Sequence, residues 1–250
     1  MTSDRYAIRG VRLGEGLPKL CIPLTGKDAG ELCRECAALA GKPHDLVEWR
    51  ADCLASLEEK EDALRAVRAC LPDTPLLATF RTAGEGGAMP LSEEDYFDTV
   101  RWFLHTGQID AADIEYFHDP AARDALREEV QAAGLPVIMS SHDFQKTPPR
   151  ETMEARLEAM GEHGCIAKLA VMPRSPSDVA ALLAATAAVH ERHPGRPLIT
   201  MSMGPLGAVT RAVGETFGSV LTFGTAGRAS APGQFDAALL KQLLEAFHTV

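Results

Sequence analysis

The run "CIAKLAVMP", residues 165–173, places Lys168 alone among apolar side chains. Burial disfavours an ammonium group, so a lysine in such a run needs a reason. Other chemistry-bearing residues recur where short apolar runs end. Glu48 and Arg50 lie in "LVEWRA", Arg81 closes "LLATFR", and Glu85 follows in "TAGEGG". Asp113 and Glu115 lie in "ADIEY", and His142 in "SSHDF". Arg211 follows "MSMGPLGAVT", and Ser230 and Gln234 lie in "GTAGRASAPGQ". His142 suits proton transfer near neutral pH. Arg211 offers a planar fork for a carboxylate. Each residue has a plainer reading as well. Glu48 and Arg50 face the same side of a strand and suit a structural ion pair. A lone histidine suits a hydrogen-bonded core position, and Lys168 suits an ion pair across a sheet interior. Their convergence argues for a site, because burying so many charges costs stability unless they serve one.

The elements that position them can be read from the same pattern. Eight short apolar runs, at 19–24, 46–51, 76–81, 112–116, 136–141, 165–171, 197–202 and 219–224, alternate with longer amphipathic stretches. The last stretch carries Phe235, Leu239, Leu240, Leu243, Leu244 and Phe247 at helical spacing. Ser92 before three acidic residues, and Ser175 before Pro176, mark helix starts. Strands alternating with helices imply right-handed crossovers and a parallel sheet. Eight such units in 250 residues fit an α/β fold of the (β/α)8 TIM-barrel type, where chemistry sits at the C-terminal ends of the strands. A doubly wound open sheet is the competitor, weakened because no G-x-G-x-x-G follows the first strand. No Pro/Gly-rich linker divides the chain, so residues 1–250 are expected to form a single domain. The segment "RYAIRGVRLGEG" before the first barrel strand is expected to form a small hairpin closing one barrel end.

Composition narrows the function classes. A net charge of -10 argues against a nucleic-acid partner and leaves an anionic substrate dependent on a local arginine cluster. The start of the chain lacks an apolar h-region, and the longest apolar stretch, 179–189, is too short to span a bilayer. A cytoplasmic protein without a membrane partner is expected. Cys33 and Cys36 form a CxxC, but no second pair or nearby histidine completes a zinc site. The plainer reading of the pair is as small buried helix residues in a reduced cytoplasm.

The segments "EWRAD", "TFRTAGEGG", "DIE", "SSHDF", "AKLAVMP", "MSMG" with its following "TR", and "SAPGQ" occur in order over nearly the whole chain. In these the sequence resembles the type I 3-dehydroquinate dehydratases of the shikimate pathway. One departure is Thr210 before Arg211, where serine is expected. The resemblance implies a (β/α)8 barrel, a homodimer, and no metal or organic cofactor. It implies dehydration of 3-dehydroquinate to 3-dehydroshikimate through a lysine Schiff base at Lys168. His142 would be the general acid/base, with Glu85 and Asp113 orienting it. Arg211 would bind the substrate carboxylate, and Glu48, Arg50 and Arg81 the ring hydroxyls. Ser230 and Gln234 would belong to a closing loop, and Met203 and Phe223 would pack near the ring. Burial and the nearby guanidinium groups of Arg50, Arg81 and Arg211 are expected to favour the neutral amine of Lys168. Two alternatives compete. One is a Schiff-base aldolase of a phosphosugar, with "MGPLG" and "GTAG" as phosphate loops. The other is a catalytically silent quinate-binding barrel.

Overall fold

A computed structural model describes residues 6–227 and 229–248. Arg5, at the start of the expected hairpin segment, lies outside them. Strands β1 (Ala7–Ile8) and β2 (Val11–Arg12) pair antiparallel, with Ala7 opposite Arg12 and Ile8 opposite Val11. The two residues between them, Arg9 (φ 46) and Gly10 (φ 85), both take the left-handed conformation that a tight hairpin turn requires.

Eight parallel strands follow: β3 (Lys19–Leu24), β4 (Leu46–Arg50), β5 (Leu76–Thr79), β6 (Ala111–Glu115), β7 (Val137–Asp143), β8 (Ile166–Val171), β9 (Leu198–Ser202) and β10 (Leu221–Phe223). From β3 to β9 each strand pairs with the next, and β10 returns to pair with β3. The β9 side is closed by a bridge from Leu198 to Ser219 and by the Val220 N–H, which donates to the Leu198 carbonyl at 2.8 Å. The result is the expected (β/α)8 barrel. Between and after the strands run α1 (Ala29–Ala38), α2 (Lys60–Cys70), α3 (Glu93–His105), α4 (Pro120–Ala132), α5 (Arg150–Met160), α6 (Pro176–Arg192), the short α7 (Gly204–Gly207) and α8 (Val209–Val213), and α9 (Ala237–Phe247).

The helix starts follow their side chains. Ser92 caps α3 by accepting from the Asp95 N–H. Ser175 and Asp178 form a reciprocal capping box on α6, with Pro176 at the first helical position. Strand bounds agree with the apolar runs to within two residues, the eighth included. There the chain enters the strand only at Leu221, because the Ser219 N–H turns back to the Gly214 carbonyl at 2.9 Å. In α9, Leu240 and Leu244 are buried, while Leu239 and Phe247 lie beyond the buried arc and are 47% exposed each.

Period-two alternation sorts the strand residues into two cores. Outward residues such as Val47, Trp49, Ala78, Ile114, Met139 and Leu169 pack with the helices in one cluster. Inward residues at the strand starts, Cys21, Leu46, Leu77, Ala111, Ile138, Ile166, Ile199 and Leu221, form a second cluster with Tyr6, Ile8 and Leu13. The hairpin therefore stops the N-terminal end of the barrel with apolar side chains. Ile8 is fully buried there. Ile8→Ala is expected to lower unfolding free energy in urea by about 2–4 kcal/mol through the cavity it leaves. A loss under about 0.5 kcal/mol would mean the hairpin does not seal the barrel.

Candidate active site

Each barrel strand that starts with an inward apolar residue continues inward in steps of two. Leu46 is followed by Glu48 and Arg50, Leu77 by Thr79 and Arg81, and Ala111 by Asp113 and Glu115. Ile138 leads to Ser140 and His142, Ile166 to Lys168 and Ala170, and Ile199 to Met201 and Met203. The second and third inward layers thus carry the chemistry above an apolar floor. They open onto a cavity of about 570 Å³ lined by every site residue expected from the sequence except Asp113.

Lys168 is 3% exposed, and its Nζ lies 2.9 Å from Asp113 Oδ2 and 3.4 Å from Glu48 Oε1. It also stands 4.8 Å above the Phe223 ring. The expected guanidinium neighbours line the same cavity, but the charged groups in direct contact with the amine are carboxylates. Asp113 was expected to orient His142, and its geometry corrects that expectation. Its Oδ1 accepts from Arg81 Nη2 at 2.8 Å and from Ser140 Oγ at 2.6 Å, while Oδ2 holds Lys168. Burial pushes the Asp113 carboxyl up, but Arg81 and Lys168 outweigh it and hold it at about 2, so it is a fixed anion beneath the amine.

His142 is oriented by Glu85 alone of that pair. Glu85 Oε2 lies 2.9 Å from Nδ1 and also accepts from the His142 backbone N–H at 3.0 Å. With Glu85 ionised, the proton sits on Nδ1 and Nε2 is left bare toward the cavity. Burial, then the positive charges of Arg81, Lys168 and Arg50, push the imidazolium well below its ordinary range. Burial pushes Glu85 the other way, up to about 8, against the opposing Arg81. Its position depends on the turn after β5. Gly86 there has φ 85, a left-handed conformation that favours glycine, and a Cβ would run into the Phe144 ring, which would have to shift.

The three arginines differ in their partners. Arg81 is clamped by Asp113, Glu115 at 3.0 Å and Glu85 at 3.5 Å. Arg50 is held bidentate by Asp52 at 2.8 and 2.7 Å. Arg211, 1% exposed, meets no carboxylate among the described residues. Its Nε has no partner, Nη1 faces the Met201 sulfur and Nη2 the Pro232 carbonyl. Burial alone lowers it, to about 10. Pro232 belongs to the loop carrying Ser230 and Gln234. That loop is tied to Gly204 by its N–H donating to the Pro232 carbonyl at 3.1 Å, and braced internally by the Gln234 amide on Ser230 Oγ at 2.9 Å.

Several positioning residues were not singled out from sequence. Asp52 is fully buried and accepts from the backbone N–H groups of Arg81 and Ala88, both at 3.1 Å, besides clamping Arg50. Thr79 Oγ1 donates to Glu48 at 2.9 Å. Tyr96 OH accepts from the Glu115 N–H at 2.8 Å. Asp52 was within reach, since it closes the quoted "EWRAD" two residues after Arg50.

Fold and cavity together define an enzyme of the (β/α)8-barrel class, with its polar groups gathered at the C-terminal ends of the strands. A family model for type I 3-dehydroquinase matches residues 20–250, and the chain belongs to that family of hydro-lyases. It is 44% identical to a 3-dehydroquinate dehydratase of Klebsiella pneumoniae, over 97% of this chain and 98% of that one. It is 43% identical to one of Bacillus licheniformis, over 96% of each. Among solved structures, the type I enzyme of Clostridium difficile with covalently modified comenic acid superposes with a TM-score of 0.91. It is 36% identical, with 96% of each chain covered. The 3-dehydroquinate dehydratase of Enterococcus faecalis gives 0.89 at 38% identity, over 97% of this chain and 99% of that one.

Asp52 supplies a direct test of the clamp. Asp52→Ala leaves the Arg50 guanidinium buried without its partner and strips two backbone donors of their acceptor. It is expected to cost about 3–5 kcal/mol in urea unfolding. A cost below about 1 kcal/mol would place the Arg50–Asp52 pair effectively in solvent.

Proposed function

We propose that this chain dehydrates 3-dehydroquinate to 3-dehydroshikimate through an imine on Lys168, as expected of a type I 3-dehydroquinase. The observation that carries the assignment of residues is one cavity lined at once by Lys168, His142 and the unpaired Arg211. The reaction removes water from a β-hydroxy ketone, so a proton must leave the carbon between the carbonyl and the hydroxyl-bearing carbon. That carbon acid is weak. The Lys168 amine gives up its proton and attacks the ketone, and loss of water gives a protonated imine, an electron sink that turns the carbanion into a neutral enamine. The Asp113 carboxylate, 2.9 Å from Nζ, offsets the iminium charge as it forms.

His142 takes the α-proton at Nε2, with Glu85 holding Nδ1–H and stabilising the imidazolium. The enamine then expels the hydroxyl, which leaves as water with the proton His142 returns. Hydrolysis of the remaining imine releases the product. Arg211 binds the carboxylate. Glu48, Arg50 and Arg81 hold ring hydroxyls, and Met203 and Phe223 pack on the ring. Ser230 and Gln234 close over the substrate and keep bulk water from the imine. The chain works as one catalytic domain over residues 1–250, as a cytoplasmic homodimer. No described helix is long and apolar enough to cross a membrane.

Borohydride added with 3-dehydroquinate should fix the substrate to Lys168, read as one mass increment on the intact chain. Absence of any increment with active enzyme would sink the imine. Lys168→Ala should lose turnover by about 10⁴-fold or more. His142→Ala should still trap substrate while elimination slows by about 10²–10⁴-fold; loss of trapping would instead give His142 a role in imine formation. The pH profile tests the carboxylate behind it. Glu85 must be ionised to leave Nε2 free, and burial raises its pKa to about 8. kcat/KM should therefore rise with pH and level off only near 8, and Glu85→Gln should abolish that limb. A profile already flat at pH 6 in the parent enzyme would mean Glu85 ionises like an exposed carboxylate.

A further inference from the structure

The CxxC of the sequence is not isolated in the fold. Cys33 and Cys36 lie on α1, and the packing of α1 on α2 brings in Cys70, the last residue of α2. Cys33 Sγ and Cys70 Sγ are 3.3 Å apart, although the two residues are 37 positions apart in the chain. Cys70 is exposed, Cys33 half-buried, and Cys36 buried beneath them. All three border an open cavity of about 910 Å³ that Lys42, His44 and Thr74 also line. None of these residues touches the active-site cavity, and nothing in the dehydration uses them. Among the described residues no group of His, Cys, Asp and Glu is placed to hold a metal ion. Thiol chemistry is what remains for three sulfurs gathered at a surface.

We propose that Cys33 and Cys70 form a thiol–disulfide exchange site, oxidised by small-molecule disulfides of the glutathione class to a reversible bridge between α1 and α2. The exposed Cys70 thiolate attacks the small disulfide, its sulfur–sulfur bond breaks, and the leaving thiolate takes up a proton. Cys33, already in contact, attacks the Cys70 sulfur of the mixed disulfide and expels the second small thiol. The protein loses two hydrogens and two electrons, and one small disulfide becomes two thiols. Cys36 supplies a buried donor. Its thiol is pushed up to about 12, first by burial, and stays protonated, so its S–H can point at a Cys70 thiolate. The hydrogen bond with Cys33 raises Cys70 itself, so exchange speeds up with pH.

The test treats the full-length reduced protein with oxidised glutathione at about pH 8, quenches with acid, and reads intact mass and non-reducing peptide maps. The expected product has lost two hydrogens, carries a Cys33–Cys70 cross-linked peptide, and returns to six free thiols with dithiothreitol. Its unfolding midpoint should rise by about 5–10 °C, as expected for a loop of this length. Cys33→Ser should stop at a stable glutathione adduct on Cys70, and Cys70→Ser should give no intramolecular bridge. Both reduced variants should keep parental turnover. A lasting glutathione adduct on the parent protein, a bridge from Cys36 instead, a cross-link between two chains, or no reaction would each overturn the proposal.

Discussion

Lys168 enters the barrel interior with an Asp113 oxygen 2.9 Å from its nitrogen, and the rest of the site is arranged around that contact. An amine so placed is costly without a counter-charge. Asp113 is fully buried as well, so it needs more than the amine to satisfy it. Ser140 and Arg81 complete its hydrogen bonds. Arg81 is then a buried cation with its own demand, met by Glu115 and Glu85. Glu85 in turn fixes His142. Lys168 and His142 therefore belong to one continuous network. A change at any member redistributes charge at the others, and single substitutions here will not add independently.

The barrel alternation explains why this network was so legible in sequence. Parallel strands with one face in the barrel and one under the helices leave only every second residue for the interior. Wherever an apolar run carries a polar residue two or four positions after its first inward residue, that residue must enter the barrel near its C-terminal end. Glu48, Arg50, Asp113, His142 and Lys168 all obey this rule, so strand, face and depth could be read together. The hairpin was legible for a related reason. Tyr6, Ile8 and Leu13 are apolar side chains ahead of the first barrel strand, and the open barrel floor is the apolar surface near them.

Partners across the barrel were not legible. Spacing assigns Asp113 to a strand and a face, but its neighbour depends on the stagger between strands. Asp113 sits in the second inward layer, level with Lys168, whose strand partner is Ser140. His142 is one layer higher, and the residue that reaches it is Glu85, from the turn overhanging β5. The carboxylate named for the histidine was therefore one layer too deep. Thr79 and Tyr96 escaped notice for a different reason. Each acts through a hydrogen bond to a functional residue or its backbone, and a hydroxyl in that role has no distinctive spacing. The thiol trio shows the same limit, since only the packing of α1 on α2 brings Cys70 to the CxxC.

Pairing also separates three arginines that composition treats alike. Arg50 and Arg81 have their charges met by protein carboxylates, so what they offer a ligand is orientation: N–H groups aimed from fixed positions. Arg211 keeps its charge uncompensated inside the barrel, with burial alone acting on it. A buried cation in that state gains most from an anion that arrives from outside and can be enclosed with it. This is why a protein with net charge -10 can still suit an anionic substrate. The global field opposes the anion, and a single unneutralised guanidinium lining the cavity counters it locally.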